Sequence, residues 1–323
     1  MSLRSCLRIF WRDFLLAGLK LSESFDEKVI GRLFLDSGSQ HIWSNLDVHR
    51  TMLEDDVRVE AFRRAIEESV GSEDTVLDVG TGLGILAFFA ARKAGKVYAV
   101  DSSNVIEYAK KIATENDISN IEFMRSDIKD LSVPKVNCII AELIGMEIID
   151  EGIVEKISSA RKFLKDQGKI IPNRIDVYVV PVESTEIGFG FWGKLYGIDF
   201  SQVDGIPKMV RNFTATEKTR RLSSDLKAFS IDLMNDSVKN VSCELEFPVE
   251  NEGVFHGCLC YFRAHLSENV VLDASPESPL THWKQMFLNH NERVKVSKGD
   301  VIEVKLKTKN RLRGWDWNYS IKK

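Results

Sequence analysis

From Met52 to Val70, apolar residues recur at Leu53, Val57, Phe62, Ala65, Ile66 and Val70, close to the helical period, while Glu54, Asp55 and Asp56 load the early turns. The spacing predicts one helix. Between Thr75 and Pro172, short β-rich runs (75–79, 97–100, 121–124, 136–141, 169–171) alternate with helical ones (83–94, 105–116, 148–164). Alternation of this kind specifies a mainly parallel sheet with helices on its faces. After Ile171-Pro172-Asn173 the pattern changes to short alternating or apolar runs at 176–181, 228–232, 242–247, 257–262, 294–296 and 301–306, separated by Gly, Asn, Ser and Pro. This half reads as mostly β. Gly188 to Leu226 is too long for a structureless loop in a compact domain, so helical pieces with a contact role are expected there.

Near the start, Leu3 to Leu21 is apolar but interrupted by Arg4, Arg8, Arg12, Asp13 and Lys20. It reads as an amphipathic helix packed on the body, or one that binds a membrane surface or a partner, without a clean signal-peptide core or a membrane span. Composition adds exclusions. With 323 residues, 44% hydrophobic and 28% charged, the chain is neither disordered nor a small disulfide scaffold. A net charge of −4 gives the whole molecule no basic footprint for nucleic acid. Five cysteines without a Cys-x-x-Cys pair indicate neither a disulfide framework nor a metal site, and suit a reducing cytoplasm.

The strongest local signal is Val76-Leu77-Asp78-Val79-Gly80-Thr81-Gly82-Leu83-Gly84-Ile85-Leu86, a strand running into a glycine turn and then a helix. A dinucleotide fingerprint starting at Gly80 would need its third glycine at Ile85, so pyrophosphate binding by a dehydrogenase is disfavoured. Asp78, before the turn, is placed to attract the cationic amino-acid end of S-adenosylmethionine, and its plain reading is a strand-end cap. Asp101, ending the second strand, can accept bonds from both ribose hydroxyls; the alternative is a helix N-cap. Asp127 and Ile128 follow the third strand, where an adenine edge would lie, and Asp127 reads equally as a solvated turn residue.

The order of these motifs resembles a protein arginine N-methyltransferase from about Val48 to the C-terminus. Met52-Leu53-Glu54-Asp55-Asp56-Val57-Arg58 is similar to the family's helix before the first strand, which implies that Arg58 binds the cofactor carboxylate. Val76–Leu86 and Asp101-Ser102-Ser103 resemble its glycine loop and ribose acid. Ala141-Glu142-Leu143-Ile144-Gly145-Met146-Glu147-Ile148-Ile149-Asp150-Glu151 resembles its double-Glu hairpin, with Glu142 and Glu151 at the two glutamates. Ile171-Pro172-Asn173-Arg174 is similar to the junction with a β-barrel domain, and Lys194–Phe200 to the start of a dimerisation arm. Ser275–Gln285 contains the family's Thr-His-Trp loop, which implies that His282 pairs with Asp55 and helps accept a proton. The chain departs from the pattern in three places. Ser39-Gln40-His41-Ile42-Trp43 stands where the family has Tyr-Phe-x-x-Tyr. In the hairpin, Leu143 stands for a Trp and Ile153 for a Met. Lys129 stands for an adenine-contacting Glu.

The resemblance implies an α/β fold. Residues 1–47 would be an N-terminal helical segment and 48–172 a class I methyltransferase (Rossmann-like) domain. Residues 173–323 would form a mostly β, barrel-like domain with a helical dimerisation arm about 188–226. It also implies methyl transfer from S-adenosylmethionine to arginine in flexible segments of protein substrates. The chemistry is coherent: a guanidinium is always charged near neutral pH and suits a fork of carboxylates. Crowding Glu142 against Glu151 without a cation raises one of their pKa values, whereas a bound arginine neutralises both. A homodimer would bury Phe189, Phe191, Trp192, Leu195, Tyr196, Ile198 and Phe200. Two other readings stand beside this one: a methyl acceptor that is RNA or a metabolite, and a catalytically quiet interaction module.

Overall fold

Strands form where short apolar runs can be covered on both sides, and the first half of the chain supplies five of them. The computed structural model describes residues 45–184, 194–200, 210–236, 240–308 and 314–323. Residues 46–323 form one compact unit. It opens with α1 (Leu46–Glu54) and α2 (Asp56–Ser69), followed by β1 (Thr75–Val79), α3 (Ile85–Ala91), β2 (Lys96–Asp101), α4 (Ile106–Glu115), β3 (Ile121–Arg125), β4 (Val136–Ile140), α5 (Ile153–Ala160) and β5 (Leu164–Ile171). The five strands pair in parallel in the order β3-β2-β1-β4-β5. Strand order reverses beside β1, so the carboxyl ends of β1 and β4 open a crevice at the switch point, the usual ligand position in such sheets.

The second half is antiparallel. It comprises β6 (Arg174–Ser184), β7 (Lys194–Leu195), β8 (Ile198–Asp199), β9 (Val210–Phe213), β10 (Thr219–Arg221), β11 (Leu226–Asp232), β12 (Ser242–Pro248), β13 (Gly253–His265), β14 (Val271–Asp273), β15 (Gln285–Val296), β16 (Val301–Thr308) and β17 (Trp315–Lys322). One sheet runs β10-β6-β13-β15-β9, with β11 on β6 and β14 on β13, and another runs β12-β16-β17. A single apolar cluster extends from Phe62 and Leu77 through Ile171 and Phe262 to Trp317, so both halves share one core. Val180, Val182, Leu259, Tyr261 and Phe287 form a smaller cluster on the other face of the large sheet. No helix among the described residues is long and apolar enough to cross a membrane.

The parallel sheet with flanking helices, followed by curled antiparallel sheets, is the fold expected from the sequence pattern, with four differences. The helix expected over 52–70 is broken at Asp55, whose carboxylate accepts the Arg58 amide at 3.0 Å and caps α2. The helix expected from 148 starts only at Ile153, because Ile148 adopts φ 71°. The helical pieces expected in 188–226 are not found among its described residues. Instead β7 and β8 form a hairpin whose turn residues, Tyr196 and Gly197, have φ 52° and 83°, the positive pair that a two-residue turn of this twist needs. Finally, β9, β10, β14 and β17 were not expected. The N-terminal helix of 3–21, the segment 39–43 and the aromatic residues Phe189, Phe191 and Trp192 lie outside the described residues.

β13 carries an irregularity between Phe255 and Gly257, where Gly257 has φ 144°. A Cβ there would lie 2.3 Å from the Leu288 carbonyl oxygen on β15. Gly257→Ala is therefore expected to cost about 2–5 kcal/mol, combining a backbone region closed to alanine with overpacking. Urea unfolding of the two proteins checks this; a change below ~1 kcal/mol would contradict the geometry.

Candidate active site

The glycine turn after β1 bends through three positive-φ glycines, Gly80 (77°), Gly82 (53°) and Gly84 (92°). It is closed onto β2 by the Gly80 and Thr81 amides, which donate to the Val100 carbonyl at 2.8 and 3.0 Å. Side chains crowd the space that a Cβ would take. Leu143 Cδ2 would be 2.6 Å from one at Gly80, His49 Cε1 2.9 Å from one at Gly82, and Phe88 Cζ 2.8 Å from one at Gly84.

Two aspartates flank this turn. Asp101 accepts the Gly82 amide on Oδ2 at 2.9 Å, and the Ser103 amide and hydroxyl on Oδ1 at 2.8 and 2.7 Å. Asp78 is buried, and its Oδ2 has no partner among the described residues. Burial, with the charge of Asp101 and then of Glu142 adding to it, pushes the Asp78 carboxyl up to about 7. A buried carboxyl oxygen without a close partner, whose raised state the Thr81 hydroxyl and the Ala87 amide offset only in part, beside a turn built on three positive-φ glycines, fits a ligand bearing an ammonium group and an adenosine. Asp127 is exposed and turned inward to its own loop, accepting the Lys129 amide at 2.8 Å, while Ile128 is buried.

Arg58 lies in the first turn of α2, and its guanidinium meets Glu142, just past the end of β4, at 2.5 Å. Nε and Nη2 donate to the Met52 carbonyl at 3.2 and 2.7 Å. Both charged side chains are almost fully buried, at 6% and 7% exposure, so the pair is shielded from solvent screening. Glu142 also accepts the Ile144 amide through Oε1 at 3.2 Å. Glu151 is the second acid. Its carboxyl is raised by burial first and by the charge of Glu142 second. Thus Glu142 has a direct cation partner in Arg58, whereas at Glu151 the charge of Lys156 offsets only part of the effect of burial and Glu142, and the carboxyl stays raised to about 8. Burial also raises Glu147 and Asp150.

The second half of the chain closes the site from the other side. His282 donates its amide to Asp55 Oδ2 at 2.8 Å, and its Nδ1 lies 2.7 Å from the same oxygen. Asp55 thus caps α2 with one oxygen and holds His282 with the other. Hydrogen bonds to His282 keep the Asp55 carboxyl below its usual range although burial, the largest influence, works the other way. Trp283 donates its indole N–H to the Ile144 carbonyl at 2.6 Å, and Trp315 donates to the Glu147 carbonyl at 3.0 Å. His49, Thr81 and Trp315 were not singled out from the sequence. His49 sits in a polar helical stretch where nothing in the local pattern marks it, and Thr81 hides within the glycine motif. Trp315 belongs to a strand whose alternation, Trp315, Trp317, Tyr319, Ile321, was nevertheless available.

Residues 173–322 match the family described as the arginine methyltransferase oligomerization subdomain, and 71–188 match a methyltransferase domain family. Protein arginine N-methyltransferase 1 of Dictyostelium discoideum is 28% identical over 275 residues, which cover 80% of this chain and 81% of that one. Histone-arginine methyltransferase CARMER of Drosophila yakuba is 32% identical over 274 residues, covering 77% of this chain; the chain spans about half (52%) of that relative's length. Among solved structures, the Trypanosoma brucei PRMT1 enzyme-prozyme heterotetrameric complex with AdoHcy superposes with a TM-score of 0.77 at 25% identity, covering 86% of this chain and 94% of that one. Arabidopsis thaliana protein arginine methyltransferase 10 shares the fold, with a TM-score of 0.72 at 21% identity over 88% of this chain and 99% of that one.

Removing one member of the buried pair leaves the other charge stranded, which typically costs about 3–5 kcal/mol, whereas replacing both by apolar residues is close to neutral. Arg58→Met alone is expected to lose stability on that scale, and adding Glu142→Leu to recover most of it. A double-mutant cycle by urea unfolding measures the coupling, and additive losses would mean that the two side chains are not paired.

Proposed function

The chain belongs to the protein arginine methyltransferase family, and from that premise we propose that it transfers a methyl group from S-adenosylmethionine to a guanidinium nitrogen of arginine in flexible segments of other proteins. One observation carries the reading: of two adjacent buried acids, Glu142 is neutralised by Arg58 while Glu151 is left to hold a proton. A guanidinium entering beside Glu151 replaces that proton, and a neutral acceptor would have no such effect.

Asp101 receives the ribose hydroxyls, Asp78 faces the ammonium group, and Asp127 with Ile128 borders the adenine. Gly80, Gly82 and Gly84 allow the close approach. Arg58 uses three of its five N–H bonds on Glu142 and Met52, which leaves two for the cofactor's carboxylate. Bound S-adenosylmethionine supplies a methyl group activated by its sulfonium. Glu142 and Glu151 hold the guanidinium, localise its lone pair on the attacking nitrogen and stabilise the cation that forms, so positioning and electrostatics provide most of the rate. With Nδ1 of His282 donating to Asp55, Nε2 is left to accept the proton released after transfer.

The chain is also proposed to act as a homodimer. Tyr196 is fully exposed at the tip of the β7–β8 hairpin, and Ile198 beside it is 61% exposed, a poor arrangement for a lone molecule in water. Among the described residues the cysteines are all free thiols, in keeping with the reducing cytoplasm suggested for the chain.

Incubation with labelled S-adenosylmethionine and an Arg-rich peptide is expected to label the peptide, with Glu142→Gln and Glu151→Gln each reducing kcat/KM by roughly 10²–10³. Because Glu151 is raised, the free enzyme keeps it protonated above the ordinary carboxylate range. kcat/KM should therefore climb as pH rises through the neutral region, with proton release when peptide binds; equal labelling by the variants, or a flat profile, would refute the clamp. Separately, Tyr196→Asp combined with Ile198→Asp should convert a sedimenting dimer into a monomer. A wild-type monomer at high micromolar concentration would reject the dimer.

A further inference from the structure

The hairpin carrying the two glutamates contains a strained turn. At its tip, Gly145 and Ile148 form a β-bridge, and the Ile148 amide donates to the Gly145 carbonyl at 2.9 Å. The next bond is a tighter one: the Ile149 amide donates to the Glu147 carbonyl, two residues back, at 2.8 Å across Ile148, whose φ is 71°. That is the positive-φ form of the γ-turn, which is rare and strained. A β-branched residue is among the least suited to occupy it. Such strain persists only where surrounding contacts over-determine the conformation.

Those contacts come from the second half of the chain and from Asp150 of the hairpin itself. Trp315, the first residue of β17, donates its indole N–H to the Glu147 carbonyl at 3.0 Å, the same oxygen that closes the γ-turn. Trp315 is itself fixed: it is buried, and its ring lies 5.8 Å from that of Phe229 on β11. The Glu147 amide is taken by Asp150 Oδ1 at 2.9 Å, so the Glu147 residue is held at both its N–H and its C=O. The hairpin is closely packed at Gly145 as well, where a Cβ would overlap Asp150 Oδ1 at 1.9 Å and touch Glu151 Cγ at 3.0 Å.

We propose that Trp315 is a positioning residue for methyl transfer: its indole N–H holds the Glu147 carbonyl, keeps the γ-turn at Ile148 closed, and so returns the chain with Glu151 beside Glu142. The inference rests on the clamp reading above, and it concerns a group that does not touch substrate or cofactor. Trp317, two residues along the same strand, provides an internal comparison. It is equally buried and donates its N–H to the Asn289 carbonyl at 2.9 Å, away from the hairpin.

The test compares Trp315→Phe with Trp317→Phe in the full chain, because phenylalanine keeps a packed ring and removes only the N–H donor. Trp315→Phe is expected to lower kcat/KM for the Arg-rich peptide by about tenfold or more. It should leave S-adenosylhomocysteine affinity within about twofold of wild type. The rise of kcat/KM with pH should also move to lower pH, because Glu151 no longer stands against Glu142. Trp317→Phe should leave that pH profile in place. The proposal is overturned if Trp315→Phe keeps wild-type kcat/KM and pH profile, if the two variants behave alike, or if Trp315→Phe unfolds while Trp317→Phe does not. Failure of the wild-type chain to label any arginine would instead remove the clamp reading itself.

Discussion

The buried ion pair of Arg58 and Glu142 is the constraint on which the site depends. Two charges at 6% and 7% exposure are tolerable only if each satisfies the other and their remaining donors and acceptors find partners. Met52 and the Ile144 amide provide those partners. The pair joins the first turn of α2 to the end of β4, and so fixes one side of the crevice at the strand-order reversal. It also breaks the symmetry of the two glutamates. With Glu142 paired to Arg58, the electrostatic demand for a further cation falls mainly on Glu151, whose raised carboxyl the charge of Lys156 offsets only in part.

The other side of the crevice is built by the antiparallel half, through a few directional contacts laid over a shared apolar core. Asp55 serves both halves, capping α2 and gripping His282. Trp283 packs edge-on against Phe262 and reaches the Ile144 carbonyl, while Trp315 reaches Glu147. The loop from Glu142 to Glu151 is thus suspended between a parallel sheet that starts it and indole donors that shape it. Its conformation belongs to neither half alone, since the core that seats those indoles is continuous with the one beneath β1 and β4.

Much of the fold was legible because burial on both faces leaves a plain trace: 75–79, 97–100 and 136–141 are near-continuous apolar runs, and each lies in a strand. Where a residue has two uses, the pattern fails. Asp55 read as one of three acids loading an early helical turn, whereas it ends one helix and begins another. Ile148 fitted a helical period but sits in a turn forced by contacts more than a hundred residues away. The hairpin at Tyr196-Gly197 looked like part of a helical arm because aromatic residues gave no period to separate the two. In the site, the glycine turn and the spaced glutamates stood out by their types and spacing. The Arg58–Glu142 contact did not, since no local rule pairs residues 84 positions apart.

Asp101 carries a last implication. Its carboxylate already accepts three hydrogen bonds, two from Ser103 on Oδ1 and one from the Gly82 amide on Oδ2, out of about four that its two oxygens can take. For the ribose proposed to bind there, one hydroxyl can use the open position on Oδ2 directly, whereas a second must share or displace a donor on Oδ1. The acid would therefore read the two hydroxyls of a diol unequally, one by a new bond and the other by exchange with Ser103.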